Sequence, residues 1–256
     1  MRNPGILFVL IFISACSLIP APPTIPSIQL RPLPSATLTS TPSLTPTPAT
    51  PTVSATLTPD PQYFREDFDE ALDSEWIWVR EDPQNWSLIT LPGSLQINVT
   101  SGYVAAHNNS NLLLRPAPQG NFQIETQITY RPTRNFQFAG LIIYENDSNF
   151  IQAGRAYCSS VDCVGAGLYM DHYQSGVIVK PDFGQRFGDI DPLLLRLSRK
   201  EDTYIFEAST DRKVWFIVGS HVSDMQPLQV GLVTGQRLRG EDLPATFEYF
   251  EVRSLP

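Results

Sequence analysis

Apolar and polar side chains alternate along 122–130: Phe122, Ile124, Ile128 and Tyr130 fall on one side, Gln123, Glu125 and Gln127 on the other. A strand projects successive side chains to opposite faces, so this pattern predicts a half-buried antiparallel strand. Runs of β-branched and aromatic residues recur at 94–99, 138–144, 149–157, 164–170, 193–198, 204–209, 214–218, 228–233 and 246–252. Turn-forming residues separate them, as in Pro92-Gly93, Glu145-Asn146-Asp147, Gln174-Ser175-Gly176 and Thr210-Asp211-Arg212. No run keeps a helical period. Many short strands with one apolar face each predict an all-β fold, a two-sheet antiparallel sandwich or jelly roll.

The N-terminus breaks this pattern. Residues 6–13 are an unbroken apolar run. About 20 residues are needed to span a bilayer as a helix, so so short a run reads as the core of an export signal. It ends in Ile13-Ser14-Ala15-Cys16. This resembles the lipobox of bacterial lipoproteins, which implies cleavage before Cys16 and a diacylglyceryl group on its thiol. The expected order is a signal peptide over 1–15, a lipidated Cys16 opening a disordered Pro/Thr/Ser-rich tether over 16–62, and a folded domain over 63–256. About half of the 23 prolines lie in the tether, whose composition cannot bury enough apolar surface to offset its ordering entropy. The expected location is extracytoplasmic, on a membrane held by the lipid anchor.

The net charge of -8 argues against a nucleic-acid partner, which would call for clustered Lys and Arg. Cys158 and Cys163 are the cysteines of the folded part, and in an exported chain this pair between two strands predicts a disulfide. Two thiols with no nearby His make a poor zinc site.

Several phrases taken together resemble the concanavalin A-like domain at the C-terminus of family 43 glycoside hydrolases of beta-xylosidase type, and related stand-alone domains of unknown function. They are Asp67-Phe68-Asp69, the stretch Trp76 to Glu81, Pro83 to Leu88, Pro92 to Leu95, Glu125-Thr126, Phe138 to Tyr144, Leu195-Arg196, Ser209 to Trp215 and Val230 to Leu232. The resemblance implies a concanavalin A-like jelly roll accessory to carbohydrate-active enzymes. The catalytic propeller of those enzymes has no counterpart in this sequence, so activity is not carried over.

The chain's own chemistry is sparse. The Glu-x-Asp-x-x-Glu spacing of sandwich glycosidases does not occur, nor do His-x-x-x-His or Gly-x-Ser-x-Gly. No catalytic residue is assigned and no cofactor is expected, apart from a weak structural-calcium candidate formed by Asp67, Asp69 and Glu248. Sugar binding needs flat aromatic faces and a few polar groups. One candidate set is Trp76, Trp78, Arg80, Glu81 and Trp86, which line a surface if Ile77 and Val79 point into the core and plug the sandwich if they do not. The other is Tyr144, Arg155, Tyr157, Tyr169, Asp171 and His172, on strands whose polar face would form a concave sheet. The leading expectation is a non-catalytic carbohydrate-binding or adhesion module at the cell surface, its partner a polysaccharide or cell-wall glycan. A structural or protein-interaction lipoprotein and, less favoured, a glycoside hydrolase are the alternatives. If Cys16 carries the lipid, Cys16→Ser will release the protein from membranes or block its maturation; unchanged partitioning into detergent removes the anchor.

Overall fold

The computed structural model describes residues 63–160, 163–184, 187 and 189–256. The expected signal peptide, Cys16 and the tether lie outside these residues. The strands are β1 (Tyr63–Glu66), β2 (Ile77–Val79), β3 (Trp86–Ser87), β4 (Leu95–Val99), β5 (Leu112–Pro116), β6 (Phe122–Thr129), β7 (Gln137–Asn146), β8 (Asn149–Cys158), β9 (Gly165–Gln174), β10 (Val177–Gly184), β11 (Leu193–Lys200), β12 (Thr203–Ser209), β13 (Phe216–Val222), β14 (Gln229–Gln236) and β15 (Leu243–Ser254). One 3-10 turn, η1 (Val104–Ala106), joins β4 to β5.

The strands form two antiparallel sheets. The larger runs β13-β12-β11-β6-β15-β4-β3, with β1 added on β15; the smaller runs β10-β9-β8-β7-β14-β5-β2. The expected sandwich is therefore present. Its core is the inward set from both sheets, including Leu141, Ile151 and Met170 from the smaller and Ile124, Leu195 and Phe206 from the larger, each fully buried. In β15 a register shift between Phe247 and Tyr249 leaves Glu248 as the extra residue. That bulge lets Phe247 and Phe250, three residues apart, both enter the core.

The alternation in β6 does not end in a half-buried strand. Gln123 is 8% and Glu125 2% exposed, because the outer face of the larger sheet is covered around β6 as well. Glu125 accepts from Tyr249 Oη at 2.8 Å and from Arg196 Nη2 at 3.2 Å, and pairs with Arg212 Nε at 3.2 Å. Arg196 lies 3.5 Å from the ring centroid of Trp215. The turn after β12 delivers Arg212 and Trp215: Asp211 Oδ1 accepts from the backbone N–H of Lys213 and Val214, which holds its carboxyl below the usual range. Buried charge of this kind is tolerated only when paired throughout.

The two open sides of the sandwich are closed differently. At one side β2 and β3, edge strands of opposite sheets, bring Trp78 and Trp86 together with ring centroids 4.8 Å apart. At the other, His221 of β13 meets Asp182 of β10 at 3.0 Å, and its ring stacks on His172 of β9 at 5.9 Å. Burial holds both imidazoles below the usual histidine range.

The tryptophan face is the reverse of a surface platform. Ile77 is 51% exposed, whereas Trp76 is 9% exposed, packs on Phe250 with centroids 5.0 Å apart and donates its indole N–H to Glu66 at 3.2 Å. Trp78 and Trp86 are half-buried against the same core. Burying one indole removes far more apolar surface from water than burying Ile77 would, and that decides which way the strand faces. Trp76→Ala is accordingly expected to cost about 3 to 5 kcal/mol of stability; a melting temperature equal to that of the parent protein returns Trp76 to the surface.

Candidate functional site

The smaller sheet's outer face carries every second residue of its strands. On β9 these are Tyr169, Asp171 and Tyr173; across β8 and β7 they meet Phe150, Gln152 and Ile142 in register. Part of this face is apolar and buried: Leu112, Leu114, Ile142, Phe150 and Val233 form a second cluster beneath Val104 of η1. The β4–β5 connection is thus a flap over part of the sheet. Beyond it the face opens into a cavity of about 480 Å³, lined among others by Tyr103, Phe136, Gln152, Tyr169, Asp171, Tyr173 and Arg237. One row of the sheet runs Phe183, Tyr169, Gly154, Gly140 and Val233. A Cβ on Gly140 would stand 2.3 Å from the Ala153 carbonyl oxygen, so this crossing admits no side chain and leaves the row bare at its middle.

The aromatic walls are fixed before any ligand arrives. Tyr169 donates its hydroxyl to the Gly165 carbonyl at 2.8 Å, and Tyr173 stacks on Phe150 with centroids 4.5 Å apart and planes at 16°. Burial raises both phenols above the usual tyrosine value. Arg237 reaches over the rings of Tyr103 and Phe136, at 5.5 and 5.8 Å from their centroids. The one carboxylate among the described lining residues is Asp171, whose Oδ2 accepts from Gln152 Nε2 at 3.0 Å. Burial pushes it up to about 6, and the Gln152 hydrogen bond opposes only part of that.

Beside the flap, Asp147 is contacted by three side chains. Arg80 contacts both its oxygens, at 2.8 and 3.1 Å, Tyr144 donates at 3.0 Å, and His107 Nδ1 lies 3.0 Å away. Arg80 also donates to the Asn109 carbonyl at 2.8 Å. Tyr144 is pushed up to about 12 by burial and by this carboxylate. The cluster ties the β7–β8 turn to the segment entering β5, so Arg80 and Tyr144 brace the flap from outside the cavity.

Residues 65–253 match the sequence model of the beta xylosidase C-terminal concanavalin A-like domain. The chain belongs to this family. Among solved structures, a GH43 protein from Bacillus licheniformis is similar at 20% identity and TM-score 0.67, covering 75% of this chain and 39% of that one. A GH43 protein of the xyloglucan utilisation locus of Bacteroides ovatus gives 20%, 0.65, 75% and 39%. A functionally unknown protein from Saccharomyces cerevisiae gives 16% and 0.54, with 72% of this chain and 98% of that one covered. At these identities the likeness shows the fold. The chain spans about two fifths of the length of the two GH43 proteins. No curated protein matches it.

Within this concanavalin A-like domain the expected residues separate. Tyr169 and Asp171 line the cavity, and Tyr157 borders it at the end of β8. Arg155 and His172 do not: strand alternation turns them to the opposite face, where Arg155 pairs with Asp191 at 2.9 Å and His172 lies on His221. Glu81 accepts from Trp86 Nε1 at 3.2 Å, away from the cavity. The calcium set is not assembled. Asp67 pairs with Arg65 at 2.7 Å and Glu248 hydrogen-bonds Gln127. Asp69 lies 3.8 Å from where a Gly93 Cβ would stand, and among the described residues no group of three His, Cys, Asp or Glu is placed to hold a metal ion. Cys158 and Cys163 are joined, as expected, with Cα atoms 5.5 Å apart, and both line the cavity.

The sequence reading missed Tyr103, Phe136, Tyr173 and Arg237. Tyr173 had a signal, since it shares its strand parity with Tyr169 and Asp171.

Asp171 sets a pH dependence. Its folded pKa lies above the ordinary 3.8, so folding favours the protonated acid. That stability is present below pH 3.8 and is lost as pH rises through about 6. The loss is at most about 3 kcal/mol and smaller to the extent that solvent in the open cavity screens the charge. Asp171→Asn should raise the melting temperature at pH 7.5 more than at pH 4.5, and equal changes at both would show an unperturbed carboxyl.

Proposed function

We propose that the protein is a non-catalytic carbohydrate-binding module, held at the cell surface by a lipid on Cys16. The observation that carries this reading is the cavity on the smaller sheet, where the fixed rings of Tyr169 and Tyr173 stand beside the hydrogen-bonding pair Gln152 and Asp171. Pyranose rings present apolar C–H faces to aromatic rings and hydroxyls to such polar pairs. Hydrolysis by paired carboxyl groups needs two of them about 5 to 9.5 Å apart across the ligand. Asp171 has no acidic counterpart among the described lining residues, which favours binding without cleavage. A GH43 neighbour of this fold is a xylan beta-1,4-xylosidase from Bacillus halodurans, so xylo-oligosaccharides are the first ligands to titrate.

A protein partner is the second reading. Exposed Phe136, Ile178 and Phe183 at the cavity favour it, because such side chains suit a peptide as well as a sugar.

Titration calorimetry against a panel of plant and cell-wall oligosaccharides separates the two. Sugar binding is expected, with Tyr173→Ala weakening it by about 1 to 3 kcal/mol. Full affinity in that variant moves the site elsewhere, and heat with no glycan in the panel removes the carbohydrate reading.

A further inference from the structure

The described arginines fall into two groups. Most are engaged: Arg80 with Asp147, Arg196 with Glu125 and Arg155 with Asp191 are ion pairs, and Arg199 donates to the carbonyls of Glu201 and Gly120. Arg134, Arg237 and Arg239 are different. All three are exposed, and among the described residues none of their side chains makes an ion pair or a hydrogen bond. In a chain of net charge -8 they nonetheless gather at one place. Arg237 borders both the aromatic cavity and a second, polar groove of about 680 Å³, which is also lined by Arg239 and Tyr103. Arg134 and Arg239 line a third depression of about 370 Å³ beside Tyr157. Arg134 Nη1 lies 3.8 Å from where a Cβ on Gly240 would stand, so Arg134 reaches the turn between β14 and β15 that carries Arg237 and Arg239.

Asp82 and Asp242 line the same polar groove and Glu241 stands in the same turn, yet among the described residues none of them is ion-paired with these arginines. Asp82 accepts from Gln84 N–H and Asn85 Nδ2, Asp242 accepts from Gln236 Nε2, and Asp171 is bound to Gln152 across the cavity. Their guanidinium N–H groups are thus left for an incoming anion. A guanidinium offers a planar fork that matches a carboxylate bidentately. Arg237 over Tyr103 and Phe136 places that fork at the end of a row of aromatic faces.

We infer that the site takes an acidic oligosaccharide, with a neutral sugar ring in the aromatic cavity and a uronic-acid carboxylate on Arg237 and Arg239, Arg134 adding to the field. This rests on the carbohydrate reading and names its ligand class. Gln152 and Asp171 are left to the hydroxyls of the neutral ring, and the arginines to the charged one.

The test is titration of the whole protein with a linear xylo-oligosaccharide, the same backbone carrying a glucuronic-acid branch, an oligogalacturonate and inorganic polyphosphate. The expected result is that a uronic-acid ligand binds tighter than the neutral one by about tenfold or more, the scale of a charge-assisted bidentate contact. Arg237→Gln with Arg239→Gln should bring that ratio close to one at unchanged melting temperature, and Tyr173→Ala should weaken both sugars alike. Rising salt should reduce the ratio as well. Equal affinity for acidic and neutral sugars overturns the inference and leaves the carbohydrate reading standing. Polyphosphate bound as tightly as the uronic acids overturns it in favour of undirected charge attraction. Failure of every sugar to bind overturns both.

Discussion

Two sheets packed face to face impose one demand on every strand: alternate side chains must be apolar enough to share the layer between them. Leu141, Ile151 and Met170 meet that demand from one side, and Ile124, Leu195 and Phe206 from the other. Where the chain cannot keep step, as at Glu248, a bulge restores the phase and returns Phe250 to the core. The outer faces then become the variable part of the molecule. On the larger sheet's, the charge network around Glu125 covers β6 and its neighbours. Part of the smaller sheet's packs beneath Val104 of η1, and the cavity opens beside it.

This division explains why the domain carries so much paired charge. Glu125 and Arg155 are each nearly inaccessible to solvent, yet both are held by opposite charges. Paired ions of this kind add little net stability against apolar replacements, but removing one partner is costly. The unpaired arginines at the β14–β15 turn stand outside this pattern.

Period-two alternation made most of the strands legible, and with them the sandwich. Two were not. β5 is buried on both sides, so Leu112, Leu113 and Leu114 show no alternation, and β10 is mostly exposed and interrupted by Pro181. Alternation also names two faces without saying which is inner. That is why Trp76 and Ile77 could be read either way, and why Arg155 and His172 were grouped with Tyr169 although their parity is opposite. The half-legible site follows from the same physics: Tyr169 and Asp171 announce themselves on one strand, while Tyr103, Phe136 and Arg237 come from connections brought together only by the tertiary fold.

The Trp78 and Trp86 rings belong to edge strands of different sheets and lie 4.8 Å apart. Two indoles this close couple their excited states, so the pair gives a near-ultraviolet circular dichroism signal that depends on their mutual orientation. The molecule thereby contains its own optical gauge of the seam: separation of the sheets along that side would be visible in the spectrum without any label.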